Sequence, residues 1–138
     1  MFKKIKIMDQ NSKKVNEVQT LLKFTYGLTP IVAGADKFTN ILTDWAHYLN
    51  PSLRAALPVS DHVFMMTVGI IEIIAGILVF VNPKKGALLV SAWLVLIALN
   101  LIASVNYLDV AVRDLAMAVG AFSLSKLTGV VKSQKTLN

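Results

Sequence analysis

A chain of 138 residues, 55% hydrophobic and only 16% charged, has the length of one domain and an apolar content beyond ordinary soluble usage. That composition excludes a disordered protein, and the absence of cysteine excludes a disulfide scaffold and thiol chemistry. The net charge of +6 would suggest nucleic acid in a soluble protein, but here the placement of the charges decides more than their sum.

The chain opens on a basic segment, residues 1–17, carrying Lys3, Lys4, Lys6, Lys13 and Lys14. Phe2 is its only aromatic, which argues against a nucleic-acid partner, while its charge suits an anionic lipid surface. No short apolar core with a small-residue cleavage site follows it, so the next stretch is read as a retained anchor. Charge is then sparse in four stretches, 18–38, 61–81, 86–106 and 110–127. At about 1.5 Å per residue each can cross the ~30 Å hydrocarbon layer, where backbone polar groups must be paired within the segment. A soluble bundle would need a polar stripe on every helix, and the two middle stretches have none. The expected fold is all-α: an integral membrane four-helix bundle over residues 18–127, ending in a cytoplasmic tail, 128–138. The excess of lysine at both termini and at Lys84 and Lys85 places those parts in the cytoplasm.

Within the first stretch, Lys23, Gly27, Pro30, Gly34 and Lys37 fall on one helical face, and Asp36 and Lys37 lie near its outer end. The connection that follows places Ile41, Leu42, Trp45, Ala46, Tyr48 and Leu49 on one face. That pattern predicts a short interfacial helix in the first outer loop, with Trp45 and Tyr48 as headgroup anchors and Asn50-Pro51 as its end. Both histidines, His47 and His62, also fall in this connection, which disfavours a buried bis-histidine haem, and no metal site is expected.

The second stretch carries Glu72 near its middle, where an acidic residue costs roughly 2.5–3.5 kcal/mol and has to face protein or water. Gly69 and Gly76 flank it, so it is expected to point into the bundle. Two readings stand: a carboxylate that handles protons or a ligand, and a structural group bonded to Asn100 or to a Thr or Tyr of the first helix. Asn82-Pro83-Lys84-Lys85 reads as a tight turn with Gly86 opening the third helix. On that helix Asn100 reads either as an interhelical hydrogen-bonder or as a ligand contact. In the fourth, Arg113 and Asp114 enter at the depth of Asp36 and Lys37. These four form either an ion-pair cluster, with Arg113 suited to a bidentate partner, or separate snorkelling side chains. The candidate ligand-binding set is Asp36, Lys37, Glu72, Asn100, Arg113 and Asp114. No phosphate loop, hydroxyl triad or metal-binding helix motif identifies a catalytic residue.

From about Leu21 to Leu127 the chain resembles the DoxX-like family of small four-helix membrane proteins. The resemblance rests on Gly27 with Ala33-Gly34-Ala35-Asp36-Lys37, on Glu72-Ile73-Ile74-Ala75-Gly76, on the basic turn Asn82 to Ala87, and on Arg113-Asp114-Leu115-Ala116 before Gly120-Ala121. It implies a subunit associated with a bacterial cytoplasmic-membrane redox system, in which Glu72, Lys37 and Arg113 line a pocket for a quinone-like or other amphipathic ligand. It implies membrane lipid and redox-complex subunits as partners and no covalently bound cofactor. Without cysteine, a redox role needs a partner or a lipid-soluble carrier. Two alternatives stand beside it. One is a structural or assembly subunit whose Gly and Ala faces bind partner helices. The other is a small proton or organic-acid carrier that titrates Glu72 and works as a homo-oligomer.

Overall fold

The computed structural model describes residues 1–137, and the described residues contain helices and no strand. The elements in order are α1 (Phe2–Asp36), a 3-10 turn (Trp45–Tyr48), α2 (Pro51–Ala56), α3 (Asp61–Val81), α4 (Pro83–Ser104) and α5 (Leu108–Leu137). Three of these, α3, α4 and α5, are long and apolar enough to cross a membrane, with mean hydropathies of 2.5, 2.3 and 1.3. α1 falls short of that apolar content.

The basic segment and the tail are not separate from the helices that adjoin them. Residues 2–17 contain no Pro or Gly and include five Lys, so nothing stops α1 from starting at Phe2. α1 has 35 residues and α5 has 30, about 52 and 45 Å long, each exceeding the ~30 Å hydrocarbon layer. Gln19 Nε2, midway along α1, donates to Thr128 Oγ1 of α5 at 3.2 Å. The expected turn at Asn82-Pro83-Lys84-Lys85 is also shorter than it reads. Asn82 alone leaves the helical path, its side chain accepts from the Lys85 amide at 3.3 Å, and Pro83 occupies the first position of α4. Pro there needs no amide donor and Asn is a favoured cap, so two helices abut through one residue.

α3 lies against α1 and α4, and α5 against α4 and α1. Small residues set these contacts. A Cβ on Gly76 would lie 2.5 Å from the Gly27 carbonyl oxygen, and one on Gly69 2.5 Å from that of Gly34, so α1 and α3 touch backbone to backbone at two levels. Gly86 abuts the backbone of Val79 in the same way. Between α4 and α5, Ser91 Oγ donates to the Ala118 carbonyl at 2.8 Å and Ser125 Oγ to the Lys84 carbonyl at 2.9 Å. Ala87, Ala98, Ala111 and Ala121 are fully enclosed, and the largest fully buried side chains are only Leu101, Leu124 and Val79. The bulk points outward instead: Ile70, Ile74, Ile77, Leu96, Leu99, Val112 and Val119 are all exposed. This inverts the soluble pattern and is what a lipid solvent permits.

The 39–60 connection differs from the expected helix over Ile41 to Leu49. Asn40 is left-handed at φ 51, Ile41 and Leu42 are exposed and non-helical, and only Trp45–Tyr48 turn. Asn50-Pro51 begins α2 rather than ending a helix, because the Asn50 side chain accepts from the Ser52 amide at 2.9 Å and Pro51 takes the first helical position.

Candidate functional site

Lys37 is the residue at which α1 ends, still in helical geometry, with its amide bonded to the Ala33 carbonyl at 3.3 Å. A Cβ on Gly69 would come within 3.1 Å of Lys37 Cβ, so the missing side chain on α3 makes room for the lysine stem. The stem runs along α3 to Glu72, where Nζ meets Oε2 at 2.6 Å. Both side chains are buried, 4% and 8% exposed. Trp93 Nε1, from α4, donates to the second oxygen, Oε1, at 3.3 Å. Above the ammonium sits the face of Trp45, 3.7 Å from Nζ to the ring centroid. Lys37 is thus held between a carboxylate and an indole, and Glu72 between an ammonium and an indole N–H. Charges at this burial persist only when paired and hydrogen-bonded, and a desolvated cation gains about 2 kcal/mol or more from an aromatic face.

Asp36 has another task. It is 7% exposed and accepts from the Thr39 hydroxyl at 3.0 Å, the Ile41 amide at 2.9 Å, the Leu42 amide at 3.0 Å and Trp45 Nε1 at 2.8 Å. The captured amides are the reason no helix forms over Ile41 to Leu49: the carboxylate offers the backbone a better partner than the helical ladder. Trp45 is consequently turned inward, bonded to Asp36 and stacked on Lys37, and is not a free headgroup anchor.

Of the two readings of Asp36, Lys37, Arg113 and Asp114, the ion-pair cluster does not form: Lys37 pairs with Glu72 and Arg113 with Asp109. α5 packs through Ala111 and Ala118. Arg113, two residues from Ala111, falls on the opposite side of the helix, where it is exposed and meets Asp109 at 3.6 Å. Asp114, three residues from Ala111, is half-buried. Asn100 does not reach Glu72; its amide donates to the Tyr48 carbonyl at 3.3 Å, tying α4 to the 3-10 turn. Of the six candidates, Lys37 and Glu72 meet directly, Asp36 acts through Trp45, and Asn100, Arg113 and Asp114 make no hydrogen bond or ion pair with them.

Beside Glu72 is a cavity of about 80 Å³, lined by Tyr26, Thr29, Pro30, Trp93 and Met117 among others. Pro30 has no N–H, so the Tyr26 carbonyl loses its helical donor at this level. Tyr26 is 8% exposed, and a Cβ on Gly120 would overlap its hydroxyl, so that glycine provides the space in which the ring lies. The sequence does not single out Tyr26, or either Trp as a partner of the ion pair. The signal available was chemical: an indole N–H at membrane depth needs an acceptor, and Glu72 is the one acidic side chain of α3 beyond its first turn. In comparison with known proteins, the chain matches no family model, no curated protein and no solved structure.

Proposed function

We propose that this chain is a DoxX-like integral protein of the bacterial cytoplasmic membrane. α1 crosses beside α3, α4 and α5 in a four-helix bundle, both termini lie in the cytoplasm, and the 39–60 connection lies at the outer interface. Its role in this reading is that of an accessory subunit of a membrane redox system, receiving the polar head of a small amphipathic ligand, such as a quinone, at Glu72. One observation carries the reading: the Lys37–Glu72 pair, capped by Trp93, lies midway along a membrane-length helix and borders a cavity. Intramembrane ionisable groups are costly and mark functional sites by default. The cavity, about 80 Å³, suits a head group or a few waters. A whole drug-sized ligand occupies roughly 300–1,000 Å³, so the apolar remainder of the ligand stays among the lipids.

The structural alternative draws support from the pair itself, since both Glu72 oxygens already have partners within the chain. Its proposed glycine faces, however, are occupied by the chain's own α1 and α3. Purification from native membranes in mild detergent tests the reading. The expected result is recovery of an oxidoreductase subunit or of stoichiometric quinone, reduced when Glu72→Gln is purified in the same way. A clean, ligand-free homo-oligomer would overturn it in favour of a carrier or structural role.

A further inference from the structure

A second cavity, of about 460 Å³, lies at the end of the molecule away from the termini, between the 39–60 connection and the turn joining α4 to α5. Its polar wall is made of His47, Tyr48, Arg54, Ser104, Asn106 and Tyr107, with Leu49 and Pro51 completing it, and no carboxylate of the described residues lines it. Two acids pair with wall residues without lining the cavity themselves. Asp44 meets His47 Nε2 at 3.6 Å, and Asp61 meets Arg54 Nε. Arg54 Nη2 donates to the Ala46 carbonyl at 3.4 Å, and its remaining terminal nitrogen, Nη1, has no hydrogen bond among the described residues. The guanidinium is therefore held in place by its inner contacts while donor capacity is left over.

The aromatic part of the wall is fixed as well. Tyr48 and Tyr107 have ring centroids 4.7 Å apart at 53°, and Asn100 holds the Tyr48 backbone. Tyr107 keeps this contact in a left-handed conformation, φ 56, that a non-glycine residue rarely adopts. A wall with a guanidinium that keeps free N–H groups, hydroxyls and an amide, and with no carboxylate of its own among the described residues, offers hydrogen-bond donors to an oxygen anion.

We propose that this cavity binds a small oxyanion, a phosphate or carboxylate group, anchored by Arg54. The group belongs either to a free solute or to a lipid head at the same interface. This proposal does not rest on the redox reading, because its residues are separate from Glu72 and Lys37.

Thermal unfolding of the full chain in dodecyl maltoside, which carries neither group, tests it at constant ionic strength with inorganic phosphate, acetate and phosphatidylglycerol as probes. The expected result is a saturable rise in Tm that persists in Arg113→Gln, an exposed arginine outside the cavity, and is lost in Arg54→Gln. Because Arg54→Gln also breaks the Asp61 contact, Arg54→Lys is the second variant. It keeps the charge but not the fork, and should raise the half-saturating concentration about tenfold. A response to phosphate or acetate identifies a free solute, and a response to phosphatidylglycerol alone identifies a lipid head. No saturable shift with any probe, or an equal shift in both Arg54 variants, overturns the proposal.

Discussion

Lys37 and Glu72 are each the other's counter-ion, so the cost of burial falls on whichever is left when one is removed. Lys37→Met or Glu72→Leu alone should lower stability by about 3–5 kcal/mol, and the double variant should recover most of that loss. Unfolding of all four proteins in mixed micelles measures it as a double-mutant cycle; a double variant no better than the worse single would show that the pair does not compensate. Trp45→Phe keeps a ring over the ammonium but removes the indole N–H that reaches Asp36. The 39–60 connection should loosen, and trypsin should cleave after Arg54 several-fold faster than in the wild type. The residues of this site were unequally legible. Glu72 stands out because an acid interrupts a run of isoleucines. Its pairing with Lys37, 35 residues earlier, depends on the register of α1 on α3, which composition does not encode. Arg113 was misplaced because depth along α5 was readable but rotation about it was not. That rotation is set by which alanines meet α4.

At the scale of whole elements, helix contact is governed by absent side chains. Gly76→Ala sets a methyl group 2.5 Å from the Gly27 carbonyl oxygen and against Ile31, and a backbone atom cannot swing aside. The expected cost is about 1–3 kcal/mol in detergent unfolding. Gly129→Ala is the control, since nothing lies within 4 Å of its added methyl; it should be neutral or stabilising by about 0.5–1 kcal/mol through helix propensity. Equal effects at the two sites would mean that α1 and α3 do not touch as described. α3 was legible to the residue because Ser60 and Asn82 cap an uninterrupted apolar run. The outer connection was not, because its shape follows from amides gathered by Asp36 rather than from the hydrophobic spacing of Ile41 to Leu49.

For the molecule as a whole, the proposed orientation has a direct test, because the chain has no cysteine and any introduced thiol is a unique label. Ser52→Cys and Ser133→Cys both replace exposed residues, one in the outer connection and one near the terminus. A membrane-impermeant maleimide applied to intact cells should label Ser52→Cys and reach Ser133→Cys only after permeabilisation. The opposite pattern would invert the topology. Under this topology the order of synthesis sets a waiting time. The ribosome makes Lys37 before Glu72, and the 35 residues between them take roughly 2–7 s at 5–20 residues per second. During that interval Lys37 has no counter-ion, and its ammonium stays at the outer interface instead of packing against α3. A nascent chain arrested before Glu72 should leave Lys37 open to a membrane-impermeant amine reagent, whereas one arrested after α3 has emerged should protect it.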